Sequence, residues 1–248
     1  MRLISLNTWG GKLYDPFMSF LSMHSKGTDI FCLQEVYSLK EGEGLTKWWQ
    51  KDMSPNLYEK ILHKLEQFNG NITEQYSSMG ERLAIISSKR ITIEDKGEIV
   101  LCEGRKINSD NEEPVEIGSK LQWITFMHDE KRFTIANVHG FWVKDSHEDS
   151  PERLQQSKRI LNFLNNKNGA KILCGDFNLS PNTRSISMLE QDFKNLIKEY
   201  EIISTGSSPG KKGEIVDYVF VSPEVKVSEF KVLQNEVSDH LPLSLEFS

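Results

Sequence analysis

Eight polar residues stand at the ends of, beside or, in one case, within short apolar segments that have the length and pattern of buried β-strands. They are Asn7, Glu35, His139, Asp176, Asn178, Asp217, Asp239 and His240. Carboxylate and amide oxygens suit a hard divalent cation such as Mg²⁺. A further carboxylate can orient and deprotonate a water molecule, and histidines can contact the charge that develops on a phosphoryl group. As a set, these residue types supply what the hydrolysis of a phosphoester requires.

Taken one at a time, most of these residues have a simpler explanation. A glutamate such as Glu35 after an apolar strand is commonly a solvated strand end, and Asp176 is of the type that caps a turn. Single histidines are more often part of a hydrogen-bonded scaffold. Asp217 is different because it lies within the apolar run 215–221. A carboxylate buried there needs a cation or a histidine as its partner.

Short apolar runs, most of them bordered by one of these polar residues, predict the strands that would position the set. Single strands are predicted over residues 3–9, 29–35, 83–87, 171–175, 215–221 and 241–247, and a hairpin over 121–127 and 132–139. The polar segments 97–118 and 204–213 are predicted to be loops.

Helices are predicted between these strands. Three should begin at an Asp or Ser cap followed by proline, at Asp15, Ser54 and Ser150. The second of them has apolar residues at helical spacing from Leu57 to Phe68, and a fourth helix is predicted over 186–197. Strands that alternate with helices along the whole chain predict sheets covered by helices. We therefore expect one α/β domain spanning residues 1–248.

The composition is typical of an ordered globular protein. Of the 248 residues, 38% are hydrophobic, which is enough to build a large core and excludes disorder as the main state. The 36 acidic and 30 basic residues leave a formal charge of −6. This balance argues against a protein held on nucleic acid by bulk electrostatics, although it does not exclude a local phosphate site.

The cysteines and the hydropathy pattern bear on the compartment. Cys32 and Cys174 lie in apolar runs, and the three cysteines have no spacing typical of a zinc site or a disulfide framework. We interpret Cys32 and Cys174 as buried free thiols of a reducing compartment. No segment approaches the roughly 18 apolar residues of a membrane span, and the N-terminus lacks the pattern of a signal peptide. The expectation is a cytoplasmic, monomeric protein without a membrane span.

Three short segments resemble the signature motifs of the endonuclease/exonuclease/phosphatase superfamily. They are Leu33-Gln34-Glu35-Val36, Gly175-Asp176-Phe177-Asn178 and Ser238-Asp239-His240-Leu241-Pro242. One such motif is a weak signal, but the three stand in family order, with Asn7, His139 and Asp217 also in place. The resemblance implies a DNase I-like α/β fold. This fold is a four-layer sandwich of two packed, mostly antiparallel β-sheets flanked by helices, with the site at one edge.

The resemblance also implies a metal site and a nucleophile. Glu35 would be the principal ligand of Mg²⁺, or of Mn²⁺, with Asn7 and Asp239 close to the ion. Asp176 would orient or deprotonate the attacking water. Asn178 would hold that water and a phosphate oxygen.

The two histidines would act on the phosphate. By the same resemblance His240, oriented by Asp217, would contact the scissile phosphate. His139 matches a position where many members place a second phosphate-contacting histidine, which in some of them protonates the leaving oxygen. The implied activity is metal-dependent hydrolysis of a phosphoester by in-line attack of an activated water.

The substrate stays open between a nucleic acid and a small phosphoester. The basic pairs Lys89-Arg90, Arg105-Lys106 and Lys211-Lys212 could contact DNA, but the net charge of −6 slightly favours a solvated surface for them. Trp142 could stack on a base or simply pack in the fold. The acidic balance favours a small substrate, while the resemblance favours nucleic-acid processing.

A catalytically inactive binding module of the same fold is the alternative to an enzyme. Degenerate members of the superfamily usually lose a metal-binding or histidine position. All eight positions are occupied by the expected residue types in this chain, which favours the enzyme.

Overall fold

Two six-stranded β-sheets pack face to face. The computed structural model describes residues 1–39, 50–107, 115–207 and 211–248. The strands of these ranges are β1 (Arg2–Asn7), β2 (Ile30–Val36), β3 (Phe68–Ile72), β4 (Arg82–Ser88), β5 (Ile93–Ile107), β6 (Val115–His128), β7 (Lys131–His139), β8 (Ala170–Asp176), β9 (Lys194–Asn195), β10 (Asp217–Val221), β11 (Val227–Val232) and β12 (Leu243–Phe247).

Each sheet contains one parallel pair at its centre. The strand order is β11-β12-β1-β2-β4-β3 in the first sheet and β5-β6-β7-β8-β10-β9 in the second. β1 and β2 are parallel, as are β7 and β8, whereas the other neighbouring strands are antiparallel. The two packed, mostly antiparallel sheets expected from the resemblance are confirmed.

Helices flank the two sheets. They are α1 (Tyr14–His24), α2 (Leu57–Lys64), α3 (Pro151–Asn165), α4 (Arg184–Leu189) and α5 (Leu196–Glu199). Phe17 of α1 and Ile61 of α2 pack with Phe31 of the first sheet in one apolar cluster. Ile160 and Leu164 of α3 belong to a second cluster, which contains the residues between the sheets. No helix of the described ranges is long and apolar enough to cross a membrane.

The central strands are buried on both faces, which explains their continuous apolar sequences. On β2, Ile30 and Cys32 belong to the cluster between the sheets, whereas Phe31 and Leu33 belong to the cluster under α1 and α2. Cys32, Cys102 and Cys174 are free and buried, as predicted for Cys32 and Cys174.

The prediction of a loop over 97–118 is wrong for the part that the structure describes. Residues 97–107 belong to β5 and 115–118 to β6, which pair as an antiparallel hairpin, while 108–114 lie outside the described residues. Glu103, Arg105 and Lys106 of β5 are exposed, so this stretch of β5 has no buried face to impose an apolar alternation. The described part of 204–213 contains only one isolated bridge, between Gly206 and His240, and agrees with the predicted loop.

Several element ends also differ from the prediction. The first helix begins at Tyr14, so Asp15 lies in its first turn and is not its cap. The second begins at Leu57 and not at Ser54, and Phe68 starts β3. The helix predicted over 186–197 is divided into α4 and α5. Strands β3, β9 and β11 have no counterpart in the sequence prediction and lie at sheet edges, where polar residues face solvent and hide the alternation.

Candidate active site

Strand register brings the polar strand ends to one edge of the sandwich. Asn7 and Glu35 lie near the carboxyl ends of the parallel strands β1 and β2. In the second sheet, the parallel strands β7 and β8 place His139 opposite Asp176. β10 starts at the same edge, with Asp217 opposite Asp176.

A bulge near the end of β2 turns Glu35 toward this edge. The register between β2 and β4 shifts between Leu33 and Val36, and Glu35 has a left-handed backbone with φ of 53°. Thr8 stabilises the bulge because its hydroxyl donates to the Glu35 carbonyl at 2.9 Å. A bulge re-aims a side chain that regular pleating would direct elsewhere.

Asn7 links carboxylates of the two sheets. Its Nδ2 donates to Glu35 Oε1 at 2.9 Å and to Asp176 Oδ2 at 3.0 Å. Its Oδ1 accepts from the Trp9 backbone N–H at 3.0 Å. The amide is buried and oriented by these three bonds, so it determines how Glu35 and Asp176 face one another.

Asp176 ends β8 in a turn that also positions Asn178. The Asn178 N–H donates to Asp176 Oδ1 at 2.9 Å, and Asn178 Nδ2 donates to the Gly140 carbonyl at 3.1 Å. Gly140 is needed at this approach, since a Cβ there would lie 2.1 Å from the Phe177 carbonyl oxygen. Burial would raise the pKa of Asp176, but the neighbouring His240 and His139 outweigh it and hold that pKa below its ordinary value.

His240 is the partner of the buried Asp217 carboxylate, as expected for an aspartate within an apolar strand. His240 Nδ1 lies 2.8 Å from Asp217 Oδ2, and both side chains are buried. Burial disfavours the imidazolium, but the Asp217 charge outweighs burial and raises the pKa of His240 to about 9. Burial raises the pKa of Asp217 itself, against the attraction of His240. His240 Nε2 faces Asp176 Oδ2 at 3.6 Å.

Lys211 enters the site from the loop before β10. Its Nζ lies 2.8 Å from Asp239 Oδ2 and 2.7 Å from His240 Nε2. A neutral His240 with its proton on Nδ1 can accept at Nε2 from this ammonium, whereas an imidazolium is repelled by it, so the Lys211 charge lowers the pKa of His240 against the effect of Asp217. In the sequence, Lys211 stands out only as half of a basic pair, and of the two lysines Lys212 is the exposed one.

His139 is oriented by a tyrosine that sequence reasoning missed. Tyr76 Oη lies 2.6 Å from His139 Nδ1, which directs Nε2 toward Asp176 Oδ2 at 3.7 Å and Glu35 Oε1 at 3.9 Å. Nothing in the sequence around Tyr76 distinguishes it from a surface tyrosine.

Glu81 is a further buried acid that sequence reasoning missed. Ser77 donates to its Oε2 at 2.9 Å. Burial, aided by the charges of Glu35 and Asp176, raises the pKa of Glu81 to about 8. Glu81 directly precedes the apolar strand β4. It could have been found in the same way as Glu35, as a polar residue beside the end of an apolar strand.

The oxygen-rich donor set fits a hard divalent cation. Ligand atoms of Asp176, Asp217 and His240 lie within 4.8 Å of one another, but Asp217 is already engaged by His240 Nδ1. The side chains of Glu35 and Asp239 are 17% and 11% exposed, against 2% for Asp176 and 5% for Asp217. Because Mg²⁺ keeps several waters in its coordination shell, Glu35 and Asp239 are the better placed of these carboxylates.

A cleft of about 750 Å³ opens above these groups. One part of its wall is apolar and is formed by Trp9, Met53, Met79, Ile117 and Trp142. Trp142 is 36% exposed. The cleft can therefore hold a group with an apolar face next to the polar floor.

Sequence comparison identifies the chain at the level of a family. Residues 4–240 match the Endonuclease/Exonuclease/phosphatase family. No curated protein matches the chain significantly.

Solved structures with the same fold include both bacterial and vertebrate proteins. An endonuclease/exonuclease/phosphatase family protein from Leptotrichia buccalis is 18% identical, with a TM-score of 0.75 over 100% of this chain and 99% of that one. A mannosyl-6-phosphatase from Bacteroides thetaiotaomicron is 18% identical, with a TM-score of 0.73 over 100% and 99%. TDP2 of D. rerio, complexed with a single-strand DNA product, is 13% identical, with a TM-score of 0.72 over 100% and 98%. The chain belongs to the endonuclease/exonuclease/phosphatase family, with its DNase I-like fold of two mixed six-stranded sheets.

Proposed function

We propose that residues 1–248 form one domain that hydrolyses a phosphodiester or phosphomonoester by in-line attack of an activated water, with Mg²⁺ or Mn²⁺ as cofactor. One observation carries the proposal. Asn7 donates hydrogen bonds to both Glu35 and Asp176. It therefore links Glu35, the more exposed carboxylate proposed to bind the cation, to Asp176, the buried carboxylate proposed as the base.

Asp176 is the proposed base. Its pKa lies below the ordinary value, so it is ionised at neutral pH and can take the proton of a water molecule as the water oxygen attacks phosphorus. Asn178 orients this carboxylate through its backbone N–H. Its side chain, held at the Gly140 carbonyl, is available to hold the water and a phosphate oxygen.

The histidines are proposed to act on the phosphate oxygens. Asp217 holds the His240 ring by Nδ1, which leaves Nε2 to contact the scissile phosphate. Tyr76 does the same for His139, whose Nε2 can contact the phosphate or protonate the leaving oxygen. Oriented donors of this kind stabilise the charge that develops as the bond to the leaving group breaks.

Glu35 and Asp239 are the side chains that would hold the divalent ion, with Asn7 orienting Glu35. When bound, the ion neutralises charge on the phosphoryl oxygens and acidifies water. The carboxylates alone would repel a phosphate, so the donor set supports a cation-dependent enzyme.

Two substrate classes are proposed. TDP2, with its single-strand DNA product, supports a nuclease acting on nucleic acid, and the mannosyl-6-phosphatase supports a small-molecule phosphatase. Six carboxylic acids and three lysines line the described part of the cleft, which disfavours a long polyanion and favours a small phosphoester.

A substrate panel tests the proposal. The purified protein is assayed with Mg²⁺, Mn²⁺ or EDTA on abasic duplex DNA, single-stranded DNA, 5′-tyrosyl DNA, poly(A), sugar phosphates, inositol phosphates and a generic diester. We expect metal-dependent turnover of at least one class. Glu35→Gln and Asp176→Asn should each lower kcat/KM by several orders of magnitude and leave the circular dichroism spectrum unchanged.

The matched control is Asp129→Asn, at an exposed hairpin turn far from the site. It should retain wild-type turnover. Full activity of Glu35→Gln or Asp176→Asn would contradict the assignment.

A binding module of the same fold makes a different prediction. Calorimetric titration with Mg²⁺ or Mn²⁺, with and without inorganic phosphate, would then give no heat of binding. Metal binding coupled to phosphate binding would instead support the enzyme.

The cytoplasm is the proposed compartment, since the three cysteines are free and buried. We also propose a monomer, which light scattering can test.

A further inference from the structure

Lys211 stands between two groups that the proposed reaction needs. Its Nζ lies 2.8 Å from Asp239 Oδ2 and 2.7 Å from His240 Nε2. Its side chain is 34% exposed and lines the cleft. The ammonium is thus inside the site but still accessible from the cleft.

Backbone pairing brings Lys211 to this place. Ser207 N–H donates to the Asp239 carbonyl at 2.9 Å, and Leu241 N–H donates to the Thr205 carbonyl at 2.7 Å. These bonds tie the loop to the segment that carries Asp239 and His240.

Gly206 lets the loop fold back on itself. A Cβ at Gly206 would lie 1.9 Å from the Lys211 carbonyl oxygen, a distance that no side chain can occupy. Because glycine has no side chain, the backbone of Lys211 can pass close to Gly206, and this places the Lys211 side chain in the site.

The two partners of the ammonium are engaged elsewhere in the proposed reaction. Asp239 would hold the cation, and His240 Nε2 would contact the phosphate. When Asp239 binds the cation and His240 binds the phosphate, the partly buried Lys211 ammonium loses both of its partners. The substrate phosphate is then the anion within its reach. A lysine suits this change because its charge sits on a flexible four-carbon stem.

We propose that Lys211 is a catalytic residue that binds a non-bridging oxygen of the substrate phosphate beside His240 and stabilises its charge in the transition state. This inference rests on the proposed function. The competing interpretation is that Lys211 only neutralises Asp239 and has no contact with the substrate.

The affinity for phosphate separates these interpretations, and the affinity for Mg²⁺ shows whether the metal site stays intact. Lys211→Met keeps the length of the side chain and removes its charge. Calorimetry in Mg²⁺ should show inorganic phosphate binding weakened by about tenfold, as expected for a lost charged hydrogen bond. Titration with Mg²⁺ alone should show equal or tighter binding, because Asp239 loses a competing cation. On the best substrate of the panel, kcat/KM should fall by about a hundredfold.

Lys212→Met is the matched control. Lys212 is the exposed neighbour, and its replacement should leave phosphate affinity and kcat/KM within about twofold of wild type. Lys211→Arg keeps the positive charge and should retain more phosphate affinity than Lys211→Met.

Unchanged phosphate affinity in Lys211→Met, with or without tighter Mg²⁺ binding, would overturn the inference. Equal loss in Lys211→Met and Lys211→Arg would also overturn it, since the charge would then be irrelevant. The phosphate titration does not depend on turnover. A wild-type protein that hydrolyses no phosphoester would contradict the proposed function, while the phosphate titration would still decide whether Lys211 binds phosphate.

Discussion

Asn7 of the first sheet donates a hydrogen bond to Asp176 of the second sheet, at 3.0 Å between Nδ2 and Oδ2. The two residues are 169 positions apart in the chain. The same amide donates to Glu35, so one side chain controls the spacing of two carboxylates that would otherwise repel one another.

Replacing Asn7 should therefore separate activity from folding. In Asn7→Ala the two carboxylates lose their shared donor, and we expect kcat/KM to fall by about a hundredfold, because each buried charged hydrogen bond contributes about 1.5–3 kcal/mol. Steady-state kinetics and thermal unfolding measure the two effects. Asn162→Ala, at an exposed position of α3, is the control, and wild-type kinetics in Asn7→Ala would contradict the bridging role.

Asp217→Asn should lower the pKa of His240 and its contribution to catalysis while leaving the imidazole in place. An amide keeps the shape of the carboxylate but not its charge, so the pKa of His240 should drop from about 9, and kcat should fall by about a thousandfold. Nuclear magnetic resonance titration of the metal-free protein follows the imidazole directly. An unchanged His240 titration would show that Asp217 does not set its charge.

Arg153 should contribute strongly to the stability of the fold beside the cleft. It is fully buried, and its guanidinium donates to the carbonyls of Phe141, Ser146 and Glu148 at 2.6–3.0 Å. Arg153→Met would leave these carbonyls unpaired, and we expect the free energy of unfolding to fall by about 3 kcal/mol. Urea denaturation measures it.

Lys158→Met, on the exposed side of the same helix, should cost less than about 1 kcal/mol. An equal loss in both variants would mean that the buried network contributes nothing beyond an ordinary surface cation.

Glu81 should make stability depend on pH. Its pKa is raised from 4.5 to about 8 in the folded protein. Below about pH 4.5 the carboxyl is neutral in both folded and unfolded states. Between about 4.5 and 8 the unfolded state loses the proton first, so the stability associated with neutral Glu81 is lost as pH rises through this window.

Glu81→Gln is neutral at every pH and should remove that loss. The difference in free energy of unfolding between the variant and wild type should grow from pH 4.5 to pH 8, by about 1.4 kcal/mol for each pKa unit. The groups facing Glu81 are Ser77, Tyr37, Tyr76, Glu35 and Asp176. Urea denaturation in EDTA across this range measures the difference, and a constant offset would contradict the shifted pKa.

Trp142 should contribute to substrate binding more than to chemistry. It lines the cleft and is 36% exposed. If it stacks on the substrate, Trp142→Ala should raise KM by about tenfold with kcat nearly unchanged. Tyr200→Ala, at an exposed aromatic outside the cleft, should leave both constants unchanged. Unchanged KM in Trp142→Ala would mean that the ring only packs in the fold.

The buried parts of the fold could be predicted from sequence because their patterns are local. β2 and β8 are continuous apolar runs, as required for strands covered on both faces. Ser150 accepts from the Arg153 N–H and is followed by Pro151 at the start of α3, as the cap pattern predicts. The edge strands β3 and β11 could not be predicted in this way, since each buries only one residue and has no apolar run.

The sequence alone determined which residue types stand at which strand ends, and with them the family resemblance. Only the tertiary structure decided their partners: Asn7 with Asp176, Tyr76 with His139, and Lys211 with Asp239 and His240. These contacts depend on how two sheets pack and where the β2 bulge falls. A hydrogen bond extends only about 3 Å, and no local pattern along the chain encodes which distant side chain will come within that distance.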